Sequence, residues 1–182
     1  MKQLPTFETE RLILRDVEEK DLNAMFDYLS DREVVKHMGL APAVFLEDVR
    51  NELDWYTSIK EEGTGMRWGI TLKNTDQMIG SCGFLNRAPK HHRAEIGFEL
   101  SRNHWGRGIA SEAIHAVLSY GFQKLGLERV EALIETENLA SQNMVERNGF
   151  QREGLLRHYE YTLGNFDDLL MYSLLRSEWK HR

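Results

Sequence analysis

The chain has 182 residues, 41% of them hydrophobic and 29% charged, and its 23 basic and 29 acidic side chains leave a formal net charge of −6. One globular domain spanning 1–182 is expected from that length, and Gly 14 with Pro 3 is far too little for a fibre or a low-complexity sequence. The acidic balance argues against a broad basic face for nucleic acid, and the lone cysteine, Cys82, permits neither an internal disulfide nor a cysteine-rich zinc site.

Apolar runs such as Ala43-Val44-Phe45-Leu46 and Leu169-Leu170-Met171-Tyr172 are far too short to cross a bilayer. The opening Met1-Lys2-Gln3-Leu4-Pro5-Thr6 lacks the apolar stretch of a secretory signal. A cytoplasmic protein without a membrane partner is expected.

Arg11 to Arg15 reads as a short strand. Glu18 to Leu29 then carries Leu22, Met25, Phe26 and Leu29 at helical spacing, behind an acidic first turn. A second helix follows Asp31, and a third runs from about Phe45 to Glu61, stopped by Gly63-Thr64-Gly65. Its acidic 47–62 stretch reads as a solvated face that helps attract a cationic amine. The period then changes. Met66 to Leu72, Met78 to Leu85 and Arg93 to Leu100 read as successive strands.

From Ile109 the apolar positions Ile109, Ala113, Ile114, Val117, Leu118 and Phe122 form the stripe of an amphipathic helix packed on a sheet, closed near Gly126. Val130 to Ile134 is a strand, Asn138 to Asn148 a helix ended by Gly149, and Phe150 to Leu175 supplies one or two last strands. The predicted class is α/β, a mixed sheet with a βαβ unit at its centre.

The turn that opens the long helix is the most informative stretch. In Trp105-Gly106-Arg107-Gly108-Ile109-Ala110-Ser111, two glycines flank one residue, so backbone N–H groups converge where a helix dipole is positive. That geometry suits a phosphate or pyrophosphate, and it equally suits a tight strand-to-helix turn. No G-x-x-x-x-G-K-[ST] loop is present, and a dinucleotide fingerprint starting at Gly106 would put Ser111 where glycine or alanine belongs.

Four segments in order resemble the GCN5-related N-acetyltransferases, and more narrowly their ribosomal-protein N-terminal acetyltransferase branch. They are Ala94-Glu95-Ile96-Gly97-Phe98-Glu99-Leu100, Trp105 to Ala113, Asn138-Leu139-Ala140-Ser141 and Asn148-Gly149-Phe150, preceded by a fitting Glu10-Arg11-Leu12-Ile13-Leu14-Arg15. The resemblance implies a twisted, mostly antiparallel sheet, splayed around a βαβ acetyl-CoA site and flanked by helices. It places the Q/R-x-x-G-x-G/A loop on Trp105 to Ala110, with Trp105 replacing the usual Gln or Arg. Cofactor contacts are then expected at Gly106, Arg107, Gly108, Ile109, Ala110 and Ser111. It also implies that the strand bulges at Gly97, offering the backbone of Phe98 to Leu100 to the pantetheine arm. A glycine inside a strand independently marks a bulge or a close backbone approach.

The resemblance puts Asn138 on the pantetheine and Ser141 near the sulfur as general acid. Both also fit plain helix capping, worth about 1 kcal/mol. Many relatives carry a tyrosine four residues further on, where this chain has Val145. Glu95 is the expected general base, with a solvated ion-paired carboxylate as the alternative. An α-amine needs only about 1.4 kcal/mol to be neutral at pH 7, against roughly 4.6 for a lysine, so a weakly defined base favours an N-terminal amine. Cys82 reads as core, His91-His92 as loop, and Trp55, Tyr56 and Trp68 as core. No metal is expected.

The expected activity is acetyl transfer from acetyl-CoA, as co-substrate, to a protein N-terminal amine or a small amine, by a monomer or homodimer. The alternative is a binding module that keeps the coenzyme site without transferring acetyl.

Overall fold

The computed structural model describes residues 3–179. A short strand β1 (Phe7–Glu8), absent from the sequence reading, precedes β2 (Leu12–Arg15). Helices α1 (Leu22–Leu29), α2 (Arg32–Val35) and α3 (Leu46–Glu62) follow. Then come β3 (Met66–Leu72), β4 (Met78–Ala88), β5 (Arg93–Leu100), α4 (Ile109–Gln123), β6 (Arg129–Glu135) and α5 (Leu139–Arg147). The final segment forms two strands, β7 (Gln151–Thr162) and β8 (Asn165–Leu175).

All eight strands join one sheet in the order β1-β2-β3-β4-β5-β6-β8-β7. Every pairing is antiparallel except β5 with β6, which α4 connects as a crossover. Alternation along the strands sorts the two faces. Cys82, Phe84, Ala94 and Ile96 pack with Ile114, Val117 and Phe122 of α4 in the larger core. Ser81 and Glu99 face the other way, toward Tyr56 of α3, beside a smaller core of Met25, Tyr28, Val49 and Leu53. Trp68 and Cys82 are fully buried, as expected, and burial pushes the Cys82 thiol up to about 12. Trp55 departs from expectation, lying 40% exposed.

Two features of β5 matter for function. Its parallel pairing with β6 stops after Arg93↔Arg129, Ala94↔Val130 and Glu95↔Glu131, so the strands diverge from there. The predicted bulge at Gly97 does not occur: β4 and β5 stay in register from Gly80↔Leu100 to Leu85↔Glu95, and the shift lies between Leu85 and Ala88. Asn86 there has φ 47°. Close approach explains the glycine instead, because a Cβ on Gly97 would meet Arg67 Nη1 at 2.7 Å.

Candidate active site

Where β5 leaves β6, two cavities open and meet. One, of about 630 Å³, runs from the Gly106–Ser111 turn to α5; the other, of about 510 Å³, lies between β5, β6, α3 and the turn after α2. His37, Met38, Phe98, Glu99, Asn138 and Ser141 line both, so these six residues form the seam.

At the outer end of the first cavity, Gly106 and Gly108 sit at φ +70° and +74°, left-handed conformations that side chains resist. A Cβ on Gly106 would meet nothing within 4 Å, so space stands open beside the turn. The first intrahelical bond of α4 is Glu112 N–H to Gly108 O at 3.1 Å, which leaves the N–H groups of Ile109, Ala110 and Ser111 without helical acceptors. Open backbone donors at the positive end of α4 fit a pyrophosphate.

A brace holds that turn. Arg11 Nη1 donates to Arg107 O at 2.8 Å, and Arg11 Nε pairs with Glu112 at 2.7 Å. Thr9 Oγ1 and the Arg11 N–H also donate to Glu112, at 2.5 and 2.8 Å. Burial works against the Glu112 charge, but these donors outweigh it and hold its pKa below the usual value.

Phe98, Leu100, Trp105, Gly106, Gly108, Ile109, Ala110, Ser111 and Asn138 all line the first cavity. Arg107 does not; its carbonyl is occupied by Arg11. The Leu100 carbonyl is likewise engaged, accepting from Trp105 Nε1 at 2.7 Å, so the residue at the Gln/Arg position closes one strand acceptor. Asn138 caps α5, accepting from Ser141 N–H at 3.1 Å. That cap engages only the backbone N–H of Ser141, and the residue itself lines both cavities.

The second cavity is acidic. Glu52, Glu95, Glu99, Glu135 and Glu160 line it, with Arg67 buried and paired to Glu99. Burial, then the charge of Glu99, pushes the Glu52 carboxyl up to about 7. Burial also raises Glu95, against a 2.8 Å hydrogen bond from Asn86 Nδ2, and raises Glu160, helped by Asp167 and Glu135. Glu95 belongs to the second cavity but not to the seam. It stands three residues before Phe98, roughly 10 Å along the strand.

Reading α3 as a solvated acidic face missed Glu52. The signal was present: Val49, Leu53 and Tyr56 form the buried stripe, and Glu52 lies three residues after Val49 and four before Tyr56. Trp55, His37 and Glu160 also line this cavity, and nothing local in the sequence ties them to β5.

The model of the acetyltransferase (GNAT) domain matches residues 11–151, and the chain belongs to this family. It is similar to the uncharacterized N-acetyltransferase p20 of Bacillus licheniformis, at 42% identity over 97% of this chain and 99% of that one. The ribosomal-protein-serine acetyltransferase of Escherichia coli is 27% identical over 91% and 93% of the two chains. The crystal structure of a GNAT-family acetyltransferase from Bacillus anthracis superposes with a TM-score of 0.84 at 29% identity, covering 96% of this chain and all 100% of that one. The protein is an N-acetyltransferase.

Proposed function

We propose that the protein transfers the acetyl group of acetyl-CoA to a primary amine by direct attack, and that the amine is a protein N-terminus. The observation that carries this reading is the splay after Glu95↔Glu131, with open backbone donors at one end and an acidic cleft at the other. When bound, acetyl-CoA supplies an activated acyl carbon. The turn from Gly106 to Ser111 would hold its pyrophosphate, and the β5 edge at Phe98 with Asn138 would hold its pantetheine arm. Arg107 supports that turn from behind.

The cleft carboxylates attract a cationic acceptor and lower the cost of bringing it to the seam. Ser141 is the proton donor assigned to the departing sulfur. Glu95, deep in the cleft, receives a proton through water rather than directly. The similarity to the E. coli ribosomal-protein enzyme favours a protein N-terminus. The acceptor is tested by following thiol release from acetyl-CoA against a panel of N-terminal peptides and small amines such as spermidine. Turnover confined to small amines would overturn the protein-terminus assignment. Binding of acetyl-CoA without turnover of any amine would point to the binding-module alternative.

A further inference from the structure

The seam holds one basic side chain that the reading above does not use. His37, in the turn after α2, has a side chain only 18% exposed and lines both cavities. Its Nδ1 lies 2.5 Å from Glu135 Oε2 at the end of β6. The pair therefore bridges the turn after α2 to the far lip of the splay.

Both partners are anchored. Glu135 pairs with Leu169 of β8, and its carbonyl accepts from Gln142 Nε2 at 3.1 Å. On the other side, Gly39 packs so closely that a Cβ there would meet Thr162 Cγ2 at 2.8 Å. A carboxylate facing Nδ1 favours the tautomer that carries its proton there, and in that tautomer Nε2 presents a lone pair. No described residue hydrogen-bonds Nε2.

The other polar side chains of the seam cannot replace it. Glu99 is committed to Arg67, Ser81 and Tyr56. Asn138 has no basic site, and the Ser141 hydroxyl is a far weaker base than imidazole. An imidazole oriented by a carboxylate on its other nitrogen is the usual arrangement for a proton acceptor beside a reacting group.

Resting on the acetyl-transfer reading, we propose that His37 is the general base that takes the acceptor's ammonium proton, with Glu135 as the positioning residue that fixes its tautomer. The ammonium gives one proton to Nε2, which passes it through water to Glu95 and on to solvent. The amine lone pair forms the C–N bond to the acetyl carbon, and the C–S bond breaks with its electron pair on sulfur. Ser141 gives its hydroxyl proton to that sulfur, and the second proton, leaving nitrogen as the amide forms, restores the Ser141 hydroxyl. In net balance one proton ends on sulfur and the other in solvent.

Two measurements test this. In long-range ¹⁵N–¹H spectra of the whole protein, the His37 ring, assigned by its loss in His37→Ala, is expected as the Nδ1–H tautomer, and Glu135→Gln is expected to weaken that preference. An Nε2–H tautomer in the unaltered protein overturns the proposal. With a serine-start peptide and spermidine as acceptor probes, His37→Ala is expected to lower kcat by roughly 10²-fold, and added imidazole to restore about tenfold. His37→Gln keeps an amide donor toward Glu135 but no base; it is expected to lose kcat equally while its melting temperature and its calorimetric acetyl-CoA affinity hold. An unchanged kcat, or a loss that imidazole does not restore, overturns the proposal. Failure of the unaltered protein to bind acetyl-CoA overturns the acetyl-transfer reading itself, a result distinct from any His37 outcome.

Discussion

Arg67 and Glu99 form an ion pair under the acceptor cleft, each side chain only 4% exposed. Ser81 Oγ accepts from Arg67 Nε at 3.1 Å and itself donates to Glu99, while the Tyr56 hydroxyl donates to Glu99 at 2.9 Å. The Arg67 guanidinium stands 5.4 Å from the Tyr56 ring centre. Burial disfavours the Arg67 charge, and the Glu99 carboxylate more than compensates, raising its pKa above the ordinary arginine value. The pair ties β3 to β5 where β5 has lost its other neighbour.

Removing one partner leaves the other buried and uncompensated. Arg67→Met or Glu99→Leu is expected to cost about 3–5 kcal/mol, read by chemical denaturation. The double variant Arg67→Met/Glu99→Leu is expected to lose much less than the sum, since it buries no lone charge. Additive losses would refute this account.

Gly108→Asp adds a side chain at φ +74° and a negative charge where phosphate is expected. At ~4 Å and an effective dielectric near 20, like charges repel by about 4 kcal/mol, enough for a loss of acetyl-CoA affinity of about 10²-fold or more. Calorimetry on a folded variant checks it, and unchanged affinity removes the phosphate assignment.

Ser141 and Asn138 separate chemistry from capping. Ser141→Ala is expected to lower kcat by roughly 10²-fold with acetyl-CoA affinity kept, because its backbone N–H still meets the Asn138 cap. Asn138→Ala is expected to lose about 1 kcal/mol of stability and also to raise the KM for acetyl-CoA. Steady-state kinetics with melting curves decide both, and an unchanged kcat takes Ser141 out of the mechanism.

Glu52 makes stability depend on pH. Its folded pKa of about 7 stands above the ordinary 4.5, so between these values the folded state holds more protons than the unfolded one. Its contribution is therefore fully present below pH 4.5 and is lost as pH rises through 7. Glu52→Gln is expected to flatten that loss and to be the more stable protein at pH 8, by on the order of 1 kcal/mol after allowing for partial exposure. Denaturation midpoints at pH 5 and pH 8 test the sign.

Most of the elements and one end of the site were legible in the amino-acid sequence, though β1 was not. Helical periodicity located α1 and α4, and the change of period located β3 to β5, because local spacing decides which face of an element is apolar. The turn at Gly106 and Gly108 and the cap at Asn138 were equally legible, since left-handed φ and helix ends demand particular residues nearby in the chain. Tertiary structure decided the acceptor side. Gly97 is glycine because Arg67, thirty residues earlier, passes over it, not because β5 bulges. Glu52, His37, Glu135 and Glu160 come from α3, the turn after α2, β6 and β7, and meet only because β5 and β6 part after Glu95. Burial and neighbouring charge then set their chemistry, and both exist only once distant segments have packed.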